Sequence, residues 1–262
     1  MELTIINTFT DQPFRGNPAA VCLLSEEKDP EWMQKVAKET NLPVTAFIIN
    51  LHKNECNLRW FTPSIEIPIC GHGTLASSFF LWGKGYIQKN KPIVYQTKSG
   101  VLKSKLVDGM VQLEFPSLME KEAIAPDLLI KALGVDPTYV GQNKWDYLIE
   151  VQSEEIVRNL NPDIDLIAQL PIRGIIVTSQ SDSSEYDFVS RFFSPAQGLN
   201  EDYVTGSAHC CLGPYWKSKL NKNIFQAYQA SERGGVIKVE VVEDIVKLSG
   251  NAVTIFEGNL TL

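Results

Sequence analysis

Arg59-Trp60-Phe61-Thr62-Pro63 returns, 132 positions later in a chain of 262, as Arg191-Phe192-Phe193-Ser194-Pro195. Each copy is an arginine, two aromatics, a hydroxyl residue and a proline. Each closes a strand-like run and leads through an acidic residue to a glycine turn. The first continuation is Glu66…Cys70-Gly71-His72-Gly73-Thr74. The second is Glu201-Asp202-Tyr203-Val204-Thr205-Gly206-Ser207-Ala208-His209. The length alone allows one large domain or two compact halves. A shared order of strand, loop and helix at half the chain length favours two matched halves. A repeat present only twice excludes solenoids and propellers.

Composition removes whole classes of function. There are 24 Lys+Arg against 31 Asp+Glu, a net charge of −7. No basic run exists to follow a phosphate backbone, so nucleic acid is not an expected partner. Hydrophobic residues make up 44%, which excludes intrinsic disorder. No apolar stretch approaches the roughly 20 residues of a membrane span. Met1-Glu2-Leu3-Thr4 lacks the basic and apolar regions of a signal peptide. Cys22, Cys56, Cys70, Cys210 and Cys211 are odd in number and without scaffold spacing. They read as reduced thiols, and the expected location is cytoplasmic.

The pattern alternates short strands with a few helices. Strands are expected at 3–8, 19–24, 44–50, 57–61, 93–97, 101–106 and 111–115. Asp29-Pro30-Glu31 opens a helix with an N-cap, a first-turn proline and a dipole-favoured acid. Further helices are expected at 73–82, 127–134, 153–160, 163–169 and 206–220. Residues 116–126 read as a linker. In the second half, strands are expected at 145–151, 172–178, 185–193, 224–230, 235–241, 244–249 and 252–257. No long βαβ series appears, which disfavours a doubly wound parallel sheet.

The two glycine turns carry the candidate chemistry. A helix N-terminus offers free backbone N–H groups and partial positive charge, a site for carboxylate or phosphate. Gly71-His72-Gly73 and Thr205-Gly206-Ser207 put small residues where backbone can approach a ligand. Glycines that merely close tight loops are the alternative. Cys70 directly precedes the first such helix, a position that favours a thiolate able to act as base or nucleophile. The alternative is a small buried hydrophobe. His72 follows it by two residues. Asp202 precedes the second helix and reads as a general acid or as a turn residue. Glu66 is the weaker counterpart. His209 is expected to be packed, and His52 incidental. Three histidines and an adjacent Cys210-Cys211 pair give no zinc-site spacing, so a metal is not expected. Walker, dinucleotide and nucleophile-elbow patterns are absent.

These residues carry a resemblance. Asp11-Gln12-Pro13-Phe14-Arg15-Gly16-Asn17-Pro18-Ala19-Ala20-Val21 is similar to the N-terminal signature of the PhzF-like phenazine-biosynthesis family. The two arginine-aromatic motifs, their glycine turns and Leu248-Ser249-Gly250-Asn251-Ala252-Val253 resemble that family in the same order across the chain. The resemblance implies a diaminopimelate-epimerase-like α+β fold. It consists of two pseudo-symmetric halves, each a curved, mainly antiparallel sheet wrapped around a central helix. The halves would be 1–116, with a returning strand at 252–262, and 117–251, with an active-site cleft between them. It also implies a cofactor-independent isomerase that moves a proton on a small carboxylate-bearing metabolite, and a homodimer. By motif position, His72, Asp202, Gly206 and Ser207 would match family active-site residues and Asn17 the segment lining the cleft; together with the helix-start thiol of Cys70, His72 and Asp202 would be catalytic. Asn17, Gly71, Gly73, Gly206 and Ser207 would bind substrate.

One departure bears on activity. The family motif after the first helix runs Asn-Leu-Ser-Glu-Thr-x-Phe, and its glutamate is the acid/base. Here the stretch is Asn41-Leu42-Pro43-Val44-Thr45-Ala46-Phe47, with Val44 at the glutamate position. Two-thiol racemases of this fold use one cysteine in each half. Cys70 matches the first, and no cysteine precedes Thr205-Gly206. Three readings stay open: an isomerase using Cys70, His72 and Asp202; a degenerate member that binds a small carboxylate without turnover; and an interaction or regulatory protein. Phenazine production itself is not expected.

Overall fold

A computed structural model describes residues 1–261 of the chain. They separate into two compact units, Met1–Phe115 with the segment from Lys247 onward, and Pro116–Val246.

The first unit opens with β1 (Glu2–Thr8) antiparallel to β2 (Asn17–Leu24). Helix α1 (Pro30–Thr40) follows the expected signals. The Asp29 carboxylate accepts the Glu31 N–H at 2.7 Å, and Asn41 ends the helix in the left-handed region at φ 50°. Strand β3 (Val44–His52) runs parallel to β2, and β4 (Glu55–Phe61) returns antiparallel to it. A two-residue strand, β5 (Glu66–Ile67), precedes helix α2 (Gly71–Gly83). Then β6 (Ile93–Thr97) lies parallel to β4 and starts a meander with β7 (Gly100–Val107) and β8 (Met110–Pro116).

Helix α2 is buried from His72 to Ser78 and again from Phe80 to Trp82. A helix without a polar face belongs inside a core. It packs on β1, β2 and β3. Its serines do not need water: Ser77 and Ser78 return their hydroxyls to the Gly73 and Thr74 carbonyls at 2.8 Å. On the other side of the sheet, Met33, Val36 and Ala37 of α1 join Ala20, Cys22, Phe47 and Phe61 in a second core.

The second unit contains β9 (Lys121–Glu122), α3 (Asp127–Leu133), β10 (Tyr139–Gln142), β11 (Asp146–Glu150), α4 (Glu154–Asn159) and α5 (Ile164–Ile167). It continues with β12 (Gly174–Gln180), β13 (Phe188–Ser194), β14 (Leu199–Asp202) and α6 (Gly206–Leu220). Strands β15 (Ile224–Gln229) and β16 (Gly235–Val242) lead into β17 (Ile245–Gly250), within which, at Lys247, the chain passes to the first unit; β18 (Ala252–Asn259) lies in that first unit.

The pairings repeat those of the first unit. Strands β10 and β11 are antiparallel, β11 and β12 parallel, β12 and β13 antiparallel, and β13 and β15 parallel. The register repeats as well. Trp60 faces Ala46 and Ile67, as Phe192 faces Ile176 and Asp202. β18 lies antiparallel along the whole of β1, from Glu2↔Asn259 to Thr8↔Ala252. β9 pairs with β10.

Residues 116–126 are therefore more than a linker, since they supply β9. They are also anchored at Leu118, whose N–H donates to the Cys210 carbonyl at 3.0 Å. Pro214 lies inside α6 and has no N–H to give to Cys210. The proline frees a carbonyl, and Leu118 takes it.

Candidate active site

The repeated motif is an ion-pair motif. Arg59 Nε and Nη2 donate to the two Glu66 carboxylate oxygens at 2.8 and 2.9 Å. Arg191 does the same to Glu201 at 2.7 and 2.8 Å. Each guanidinium also lies over an aromatic of its own motif, Phe61 or Phe193. Glu66 is thereby held as a structural carboxylate, its carboxyl kept below the usual range by Arg59 and Lys98 against the opposing effect of burial.

In the first unit, Cys70 is the N-cap of α2. Its extended backbone (φ −149°, ψ 111°) turns the sulfur back to accept the Gly73 N–H at 3.4 Å. The same sulfur lies 3.4 Å from His72 Nδ1 and 3.9 Å from Nε2. Cys70 and His72 are 6% and 7% exposed, so the contact is shielded from bulk water. Gly73 leaves no room for a side chain. A Cβ there would stand 2.7 Å from Trp60 Cδ1 and 3.3 Å from Cys70 Sγ. The Trp60 indole N–H is buried in this setting without a hydrogen-bond partner among the described residues. Trp60 is a neighbour of the site that sequence reading used only as part of the repeat. Gly71 is the first residue of α2, and Asn17 is buried at the start of β2. Gly16 just before it has φ +70°, where a Cβ would meet the Thr8 carbonyl oxygen at 2.2 Å. Val44 begins β3, wholly buried, opposite Ala19.

In the second unit, Thr205 is the N-cap of α6 and so the twin of Cys70. Ser207 takes the place of His72, and Asp202 that of Ile67. The Thr205 hydroxyl donates to Asp202 Oδ2 at 2.7 Å. The Ser207 hydroxyl accepts from Arg173 Nη1 at 3.0 Å. Arg173 also clamps Asp146 with Nε and Nη2 and lies over Trp145 and Phe192. Burial pushes the Asp146 carboxyl up, against the lowering effect of Arg173. Arg173 and Asp146 escaped sequence reading because they are distant from the motif and from each other. His209 is packed as expected: fully buried, stacked on Phe188, its Nδ1–H donating to the Thr205 carbonyl at 2.9 Å. Burial pulls its pKa down to about 4, so it is neutral.

Burial also separates the cysteines. It pushes the Cys22, Cys56 and Cys210 thiols up to about 12, and Cys211 up as well. These four are core residues. No group of three His, Cys, Asp or Glu side chains able to hold a metal occurs among the described residues. None of the helices among those residues is long and apolar enough to cross a membrane.

The model of the family described as phenazine biosynthesis-like protein matches residues 6–258. The chain belongs to this PhzC-PhzF family. An uncharacterized isomerase of Halalkalibacterium halodurans is 52% identical over 259 residues, covering 98% of this chain and 97% of its own. A PhzF-family protein of Enterococcus faecalis superposes with a TM-score of 0.93 at 35% identity, covering 100% of this chain and 99% of its own. A predicted epimerase of Pseudomonas aeruginosa superposes with a TM-score of 0.78 at 19% identity, covering 100% and 99%. That last likeness is one of fold. The PhzC-PhzF chain has the diaminopimelate-epimerase-like α+β architecture its motifs implied, with α2 and α6 as the central helices of its two units.

Proposed function

We propose that this PhzC-PhzF protein is a cofactor-independent isomerase that moves a proton on a small carboxylate-bearing metabolite, without the family's glutamate. The observation that carries this reading is the 3.4 Å contact of Cys70 Sγ with His72 Nδ1 at the capped start of a buried helix. A thiol and an imidazole at that distance can exchange a proton, leaving thiolate and imidazolium. The free amides at the helix start favour the thiolate. Asp202, beside the start of α6, is read as a proton-carrying group as well. The Gly71 amide at the start of α2 and, at the start of α6, the Gly206 amide and the Ser207 hydroxyl are donors of the kind a carboxylate takes.

The task such a site performs is removal of a weakly acidic proton beside a carboxylate and its return to another carbon or face. A positioned acid or base contributes about 10²–10⁴-fold to such a step. Val44 cannot carry a proton, which favours a second reading: a carboxylate-binding protein without turnover.

Deuterium wash-in separates them. Incubation in D₂O with a panel of amino-acid and cyclohexadiene carboxylates is expected to give incorporation at carbon for one class. Cys70→Ser and Asp202→Asn are each expected to reduce it by about 10²-fold or more. A compound that raises the melting temperature yet shows no incorporation supports the binding reading and overturns the isomerase.

A further inference from the structure

The geometry points to Gln229 as a positioning residue that, through the Thr205 hydroxyl, fixes the Asp202 carboxylate for proton transfer. This rests on the reading of Asp202 as a proton-carrying group.

Gln229 is the last residue of β15 and is fully buried. Its Oε1 accepts the Thr205 N–H at 2.8 Å. Its Nε2 donates to the Asp202 carbonyl at 2.7 Å and to Thr205 Oγ1 at 3.1 Å. Thr205 Oγ1 then donates to Asp202 Oδ2 at 2.7 Å. The directions are fixed by chemistry. An amide NH₂ only donates and a carboxylate only accepts, so the single threonine proton runs toward Asp202. Flipping the glutamine amide would set its oxygen against the Asp202 carbonyl and its NH₂ against the Thr205 N–H. The network therefore also fixes the amide.

The first unit shows that the fold does not require this network. By register, Asp202 corresponds to Ile67 and Thr205 to Cys70. The parallel pairs Ser190↔Gln229 and Asn57↔Gln96 make Thr97 the counterpart of Gln229. Thr97 turns its hydroxyl to the Gly100 carbonyl at 2.7 Å, away from any cap. A central helix of the same kind is thus built in the first unit with an isoleucine and a cysteine in these places. In the second unit three buried polar groups are desolvated together, which is costly unless every one is satisfied. Their shared product is one oriented carboxylate oxygen beside the start of α6.

Crystal structures and wash-in kinetics of Thr205→Val, Thr205→Ser and Gln229→Glu test this. Thr205→Val keeps the side-chain shape and removes the donor. Gln229→Glu keeps the shape and removes both NH₂ donations. In both, the Asp202 carboxylate is expected to leave its wild-type position. The rate constant kcat is expected to fall about 10- to 100-fold with KM within about twofold, as for loss of orientation rather than of binding. Thr205→Ser is expected to restore position and rate. An unmoved carboxylate, or a moved one with wild-type kcat, overturns the assignment; Thr205→Val decides alone if Gln229→Glu does not fold. If the wild-type protein gives no wash-in with any compound, the isomerase reading fails. The crystal structures still decide whether Gln229 and Thr205 orient Asp202.

Discussion

At the scale of single residues, the sulfur of Cys70 has two tasks: it caps α2 and it touches His72. Substitutions separate them. Serine is a strong N-cap but a poor thiolate mimic, so Cys70→Ser is expected to keep the melting temperature and lose wash-in. Cys70→Ala is expected to lose wash-in and also about 1 kcal/mol of stability, read by urea unfolding. Equal stability of the two variants would remove the capping role. His209 gives a pH prediction. Its folded pKa of about 4 lies below its ordinary 6.5. Above pH 6.5 both states are neutral and nothing is lost. Between 6.5 and 4 the unfolded chain takes up a proton that the folded chain refuses, so stability falls as pH falls, by up to about 3 kcal/mol. Urea midpoints of His209→Asn are expected to decline less than wild type over that range. Parallel declines would contradict the assignment. Cys70 and His72 could be singled out in the sequence because two residues fix their spacing. Arg173 and Gln229 could not. Their partners lie 34 and 24 positions away along the chain, and only the fold brings them to Ser207 and Thr205.

At the scale of elements, the duplicated arginines are alike in motif and unequal in load. Arg59 pairs with Glu66 and with the exposed Glu27. Arg191 pairs with Glu201 and also donates to the Val157 and Leu160 carbonyls, at 3.4 and 2.5 Å, tying the end of α4 to β13. Arg191→Met is therefore expected to cost more than Arg59→Met, roughly 3 against 1–2 kcal/mol, in paired urea titrations. Equal costs would mean that the carbonyl contacts carry no weight. Most elements could be read from the sequence, because capping residues and alternating apolar runs act locally. Asp29-Pro30 and the 206–220 helix are examples. The strands that could not be read are β5, β9, β10 and β14, each four residues or fewer. So short a run carries too little periodicity to be seen, and its identity comes from the partner strand. The role of Leu118 was hidden for the same reason, since Pro214 frees the carbonyl it binds from far along the chain.

At the scale of the whole molecule, five similar residues at half the chain length announced a duplicated architecture. The strand pairings extend that likeness through each unit. The repeat could not reveal that the first unit takes the partner of β1 from the far end of the chain. Removing residues from Ala252 onward takes β18 from β1. In hydrogen exchange, β1 and β2 amides are expected to lose protection while α3 and β12 keep theirs; loss of protection in both sets would contradict two compact units. Likeness between the units also stops at the proposed site residues, at Cys70 against Thr205 and Ile67 against Asp202. The central claim is that the chain moves a proton at carbon without an acid at position 44. The most direct measurement is deuterium incorporation from D₂O into the carboxylate panel, by wild type beside Val44→Glu. Incorporation by wild type, abolished in Cys70→Ser, is the expected result. Incorporation by Val44→Glu alone, with none by wild type, would contradict the claim.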